Sequence, residues 1–251
     1  MSCPNEISAI VRFEVHGVIP SSRSARRELL ATVLGSVLVV LALGLIWAGR
    51  ISQGRDLYVS EMGAAGQPTA RLLEAALLLI VVGGALIAYA ARGIRSRFFL
   101  GFWAPAISLW IGCGFFLIAS QVPCTTGCPL PLGPTFSLQD FVHTFVAVLA
   151  FAAACIAMVQ IAVASGQRGL ATFSLVAGLA VAVIAGAGGI LSLLRVNVGL
   201  GSRFELAATT VALAWLATLG MMLAVRQWRA TATLPPSDDR ESDVALPALI
   251  D

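Results

Sequence analysis

The chain contains no lysine and only two histidines, and charged side chains make up just 12% of its 251 residues. Soluble domains carry about 25% charged and about 45–50% apolar residues, whereas 58% of this chain is hydrophobic. One water-soluble core of this size cannot bury so much apolar surface, so a soluble globular fold is excluded. The patterns H-E-x-x-H, the P-loop, G-x-S-x-G and the dinucleotide fingerprint are all missing. So are an arginine ladder for voltage sensing and a carbonyl selectivity filter. No apolar run is broken by proline at its middle, which weakens a transporter reading. The net charge of +3 calls for no nucleic-acid partner; anionic membrane lipids are its natural counterpart. No motif implies a cofactor.

What the chain does have is six apolar runs, near 29–49, 72–91, 98–120, 141–164, 171–194 and 206–225. Each reaches the length of about 20 residues needed to cross a bilayer. Open strand edges do not survive in lipid, and the alternation of a barrel strand is absent. The expected fold is therefore all-α, a polytopic six-helix transmembrane bundle. Placing the N-terminus inside puts eleven of the sixteen arginines on cytoplasmic segments, led by the cluster Arg23, Arg26 and Arg27. The positive-inside rule then puts both termini in the cytoplasm. The first run starts too late and is too long for a cleaved signal peptide, and reads as a retained anchor. Three parts are expected: a cytoplasmic segment 1–28 with a short interfacial stretch near 7–15, a membrane domain 29–226, and a tail 227–251. The tail carries Pro235-Pro236 and the acids Asp238, Asp239, Glu241 and Asp243. It has too little apolar area to offset its ordering entropy and reads as disordered.

The inner links are short and the outer ones longer and richer, so chemistry is sought on the outer face. Trp47, Trp103 and Trp228 fall near run ends and read as interfacial anchors; Trp110 and Trp215, nearer mid-helix, read as packing residues. The fifth run is dense in small residues, Gly178, Gly186, Gly188 and Gly189, which permit close helix approach.

Cys124 and Cys128 flank Gly127 in an outer loop, where disulfides persist. A disulfide closing a tiny ring is the favoured reading, stiffening a lid more than stabilising the fold. Zinc, with Asp140 and His143 downstream, is the alternative, but a structural site usually takes four ligands and no second outer cysteine pair exists. No metal is therefore expected. Cys113 and Cys155 lie within helices and read as small buried hydrophobes. Cys3 has no lipidation context. Ser137 with Asp140 three residues later resembles a capping box. His143 follows one turn deeper, where an ionisable side chain in apolar surroundings is a functional candidate; a histidine bonded to a neighbouring helix is the structural alternative. The first outer loop sets Asp56, Ser60 and Glu61 beside a Gly/Pro-rich turn, with Asp56 and Glu61 expected to face His143. Arg71, Glu74, Arg195, Arg203 and Glu205 add helix-end charges, and an outer charged ring is expected. Such a ring is either an ion-pair network or a site.

Three segments together carry a resemblance: Tyr58-Val59-Ser60-Glu61-Met62-Gly63, Pro123-Cys124-Thr125-Thr126-Gly127-Cys128-Pro129 and Asp140-Phe141-Val142-His143. In this order they resemble the bacterial six-helix membrane family catalogued as domain of unknown function 998, over residues 30–226. Met62 stands where the family has leucine. Thr125 and Thr126 stand where it often has aspartate and proline, and Arg203 and Glu205 depart from its glutamate-arginine order. The resemblance implies a membrane fold and no particular activity. Abundant alanine, glycine, arginine and valine without lysine is the composition of a high-GC bacterium, so the bacterial plasma membrane is the expected location.

Three functions are then open. The first is a non-catalytic scaffold, accessory or lipid-binding module, with membrane lipids as partners and any protein partner unidentified. The second is a membrane-embedded hydrolase-like enzyme acting on a lipid head group. There His143 would be the base, Glu61 or Asp56 its carboxylate partner and Ser60 the nucleophile or donor. Arg71 or Arg203 would clamp an anion, with Asp140 and Glu205 also lining the site. The third is a small proton-coupled transporter using Glu74 and His143. Polar groups through the midplane would be needed for it, and the inner halves of the runs offer little beyond Gln160.

Overall fold

Where water is absent, each backbone N–H must find a carbonyl within its own segment, which turns apolar runs into helices. A computed structural model describes residues 22–95, 103–129, 137–164, 168–194 and 196–232. Its helices are α1 (Ser22–Gln53), α2 (Val59–Met62), α3 (Ala70–Ala91), α4 (Pro105–Gln121), α5 (Leu138–Ala162), α6 (Arg168–Leu193) and α7 (Val198–Ala232). The described residues form no strand element. Five of these helices are long and apolar enough to cross a membrane, and α4, with 17 residues, is shorter. At 1.5 Å per residue it spans roughly 26 Å, just under the hydrocarbon thickness of about 30 Å. Pro105 opens α4 at a position whose N–H would be unpaired in any case. Residues 98–102 of the expected third run lie outside the described residues, as do Cys3, the stretch 7–15, Arg195 and the tail beyond 232.

Two helices outrun the expected apolar runs, and α2 was not anticipated. The helix α7 begins before 206 and continues past 225, taking in Arg203 and Glu205 at one end and Arg226 and Arg229 at the other. Arginine, glutamate and alanine are good helix formers, so the helix persists where hydropathy fades. For the same reason α1 takes in Arg26, Arg27 and Glu28.

The six longer helices close a ring in chain order: α1 packs on α3, α3 on α4, α4 on α5, α5 on α6, α6 on α7, and α7 back on α1. The end carrying residues 54–69, 122–129 and 196–197 is the upper end here. The closest approach joins α1 to α3. A Cβ on Gly35 would lie 2.8 Å from the Gly83 carbonyl oxygen, and one on Gly83 would lie 2.8 Å from that of Gly35. Only glycine on both sides lets the backbones meet. In α6 the expected close packing applies to two glycines of four. Gly178 faces Met158 of α5 and Gly188 faces Phe204 of α7, whereas a side chain on Gly186 or Gly189 would meet nothing.

Polar links between helices are few and paired. Trp215, buried on α7, donates to Ser174 Oγ of α6 at 3.0 Å. Gln160 of α5 accepts from Ser108 Oγ at 2.8 Å and donates to the Trp103 carbonyl at 3.0 Å. This binds the foot of α4 to α5. Trp110, in contrast to its expected packing role, is 43% exposed on the ring's outer surface and donates to the Ala85 carbonyl. The lower end holds the Arg92–Glu28 ion pair at 2.6 Å, with Arg92 lying over the Tyr89 ring.

The α1–α3 crossing yields a stability test. Gly83→Leu is expected to cost about 1–3 kcal/mol through overpacking. Gly114→Ala, where a Cβ meets nothing within 4 Å, should leave stability unchanged or slightly raised. Thermal unfolding of the two variants in the same detergent measures the contrast, and equal melting temperatures would refute the tight crossing.

Candidate functional site

At the upper end the first two turns of α5 hold the disulfide loop at three points. Ser137 caps the helix, its Oγ accepting from the Asp140 N–H at 3.2 Å and donating to Asp140 Oδ2 at 2.5 Å. Asp140 is buried and also accepts from the Thr125 N–H at 2.7 Å and the Thr125 hydroxyl at 3.0 Å. Gln139 donates to the Pro123 carbonyl. His143 donates through Nδ1 to the Val122 carbonyl at 2.7 Å. Cys124 and Cys128 are joined to each other, across 5.2 Å between Cα atoms. Gly127 takes the left-handed conformation that so short a ring requires. With both sulfurs spent on one bond, they are not free to bind zinc.

The same loop holds the segment that carries α2. The Ala65 N–H donates to the Cys124 carbonyl at 2.9 Å, and Thr126 Oγ1 donates to the Ala65 carbonyl at 3.2 Å. Thr69 Oγ1 donates to the Met62 carbonyl and accepts from Gln53 Nε2, tying α2 to α1 and α3. From the far side, Glu205 of α7 receives the N–H groups of Val59 at 2.7 Å and Ser60 at 3.3 Å. A four-residue helix cannot satisfy its own first N–H groups, and Glu205 does so for it.

The expected charged ring therefore splits in two. Asp56 bonds Arg50 and Arg203, the latter at 3.0 Å, so it does not face His143 as expected, and Arg203 is engaged. Asp140 and Glu205 are committed to backbone N–H groups. Glu61 makes no ion pair among the described residues. Arg71 and Glu74 are exposed and likewise have no partner among the described residues.

Two cavities meet at His143. One, of about 280 Å³, is an open vestibule lined by Arg71, Glu74, Ser120, Gln121, Pro123 and the α2–α3 segment. The other, of about 100 Å³, runs inside the ring and is almost wholly apolar. Leu73, Leu77, Ala119 and His143 form a wall common to both. Ser60 and Glu205 stand at the top of the inner cavity, and Ser108 and Trp215 near its foot. Three helices line it at matched spacing. These are Ser108, Gly112 and Ala119 on α4, His143, Ala147, Ala150 and Ala154 on α5, and Glu205, Thr209, Ala212 and Leu216 on α7. Each set spans eleven residues, roughly 16 Å of helix. Steps of four and three residues in α5 and α7, and of four and seven in α4, put each set on one helix face. Small side chains on that face of α5 leave the space. This repeat is visible in the sequence and could have marked the cavity. The roles of Gln121 and Ser120 left no such mark.

His143 satisfies both structural and functional expectations in part. Its Nδ1 carries a proton, since the Val122 carbonyl can only accept. In the neutral ring Nε2 is then an acceptor. No fully enclosed side-chain nitrogen or oxygen among the described residues lacks a partner. Nε2, which makes no bond there, is therefore reachable from a cavity. Ser60 and His143 share the inner wall but do not hydrogen-bond to each other.

Asp140→Asn should weaken the loop clamp, because an amide nitrogen would face the Thr125 N–H or the Ser137 hydroxyl. A loss of about 1–3 kcal/mol is expected, read as a lower melting temperature with faster proteolysis between 123 and 137. Unchanged stability would mean that the buried carboxylate does not hold the loop.

A family model described as a protein of unknown function (DUF998) matches residues 30–222. No curated protein and no solved structure matches the chain. The family match takes in α2, the disulfide loop, both cavities and every upper-end residue named above. Because it spans well over half of the sequence, the chain belongs to the DUF998 family.

Proposed function

We propose that this protein is a non-catalytic, lipid-binding membrane protein that holds one amphiphile with its head group in the vestibule and a hydrocarbon chain inside the ring. The observation that carries this reading is the shared wall at Leu73, Leu77, Ala119 and His143, where a polar cavity borders an apolar one. Below the upper end, the polar atoms along the inner cavity are already paired: Ser108 with Gln160, Trp215 with Ser174, and Thr209 with the Glu205 carbonyl. A hydrocarbon chain there would leave no polar group newly unsatisfied. At about 100 Å³ the inner cavity takes a short length of one hydrocarbon chain, and the rest of the lipid would stay in the bilayer.

Six spans with both termini in the cytoplasm, in a bacterial plasma membrane, complete this reading. The arginine distribution supports the orientation, and it turns the upper end outward, where a disulfide persists. The head group then belongs to the outer leaflet. The hydrolase alternative is favoured by Ser60 and His143 sharing one wall. Against it, Ser60 makes no hydrogen bond to His143, whose Nδ1 is held by the Val122 carbonyl, so the nucleophile lacks its base. For a transporter, the polar groups below the upper end are locked in pairs that leave no continuous relay.

Lipid retained on the purified full chain, counted by native mass spectrometry, tests binding. Ala154→Leu and Ala150→Phe fill the inner cavity and should lower retention about tenfold or more, a loss of about 1.4 kcal/mol. Val148→Phe, on the exposed face of α5, should retain lipid as before. Retention unaffected by both cavity variants would defeat the reading. Orientation is checked in a Cys3→Ser background with a membrane-impermeant maleimide. Arg55→Cys is expected to label in intact cells, and Gly93→Cys only after permeabilisation.

A further inference from the structure

The vestibule carries a chemical preference of its own. Arg71 and Glu74 lie three residues apart on α3, hence on one face one turn apart. Both line the vestibule, and neither has a partner among the described residues. Charges of opposite sign so close usually pair with each other, yet these two are apart, each open to a ligand. At the inner edge stands His143, only 6% exposed, with its Nδ1 committed to the Val122 carbonyl and its Nε2 free. Gln121, at the end of α4, offers an amide beside them. The vestibule thus presents one cation, an amide that also donates to Ser120 Oγ, and separately one carboxylate, with the His143 ring on the wall it shares with the inner cavity.

From this arrangement we infer that the head group is a phosphoethanolamine, a phosphodiester joined to a primary ammonium. The inference rests on the lipid reading above. The phosphate meets the Arg71 guanidinium, whose planar fork suits phosphate oxygens. The ammonium, with three N–H donors, meets the Glu74 carboxylate and His143 Nε2. Phosphocholine fits less well, because its quaternary nitrogen has no N–H to give to His143 Nε2. Phosphoglycerol fits less well, because it brings no cation to Glu74 and leaves that carboxylate facing an anion. Charge-assisted hydrogen bonds are the stronger ones, so the ammonium contacts decide the order of affinity.

The test is competition on the full-length protein in mixed micelles. Equal amounts of phosphatidylethanolamine, phosphatidylcholine and phosphatidylglycerol with identical chains are offered, and retained lipid is counted by native mass spectrometry. Phosphatidylethanolamine is expected to exceed each of the others by about tenfold. Glu74→Gln should bring it down to the level of phosphatidylcholine, and Arg71→Gln should lower retention of all three. Both positions are exposed, so the substitutions should cost little stability; Arg55→Gln, exposed at the same end and outside the vestibule, controls for general charge loss and should keep the preference. Equal retention of the three lipids, or a preference that survives Glu74→Gln, overturns the head-group inference while leaving lipid binding intact. Retention of no lipid at all overturns the lipid reading with it. Soluble phosphoethanolamine at the same concentration should not displace the lipid, since the chain contributes much of the affinity. Displacement would overturn the lipid as the source and leave a soluble ligand.

Discussion

The upper end of this molecule depends on one constraint: next to lipid, a backbone polar group that leaves a helix must be bonded by something else in the chain. The segment 54–69 and the disulfide loop are both irregular, and both lie at the mouth of an apolar ring. Two carboxylates meet the need. Asp140 takes the Thr125 N–H from one side, and Glu205 takes the N–H groups of Val59 and Ser60 from the other. Between them the Ala65–Cys124 and Thr126–Ala65 bonds join the two irregular segments. The result is a continuous run of hydrogen bonds from α5 to α7 across the top of the ring. The disulfide closes only a five-residue ring, so its entropic contribution is small; it fixes the turn that aims Thr125 at Asp140.

This explains why the acidic residues that looked most like catalytic groups are occupied. Charge near the membrane boundary is costly, so a side chain kept there either satisfies a neighbour or meets a ligand. Asp56, Asp140, Arg203 and Glu205 belong to the first kind. Glu61, Arg71, Glu74 and the Nε2 of His143 are left over, and Arg71, Glu74 and His143 line the vestibule. The residues that remain available, rather than the ones with the most suggestive neighbours in sequence, define the candidate site.

Much of the fold was legible because spanning a bilayer demands length and apolarity in one segment. Five runs returned as long helices, and the disulfide followed from two cysteines around Gly127. Helix ends were less legible. Hydropathy stops at Leu206 and Val225, but helix propensity carries α7 on through Glu205 and Arg229. The short helix α2 gave no periodic signal, because four residues hold barely one turn and their stability comes from Glu205, 146 residues away from Val59. The capping of α5 by Ser137 could be read, since it is local. The splitting of the charged ring could not, because helix order around the ring decides which charges meet. Only closure of α7 on α1 brings Arg203 to Asp56.

His143 shows how one side chain can serve both the scaffold and the site. Burying an imidazole with neither nitrogen bonded would cost about 1–3 kcal/mol for each lost partner. The Val122 carbonyl removes that cost for Nδ1 and, in doing so, fixes the ring and its tautomer. What remains is an acceptor held on the wall that the polar and apolar cavities share. A hydrolytic base would need a proton donor within reach, and Ser60 makes no hydrogen bond to His143. A binding site needs only an acceptor whose position does not fluctuate, and this one is fixed by the same loop that the disulfide shapes. The geometry of α5 therefore favours recognition over chemistry, and it ties recognition to the integrity of residues 122–128.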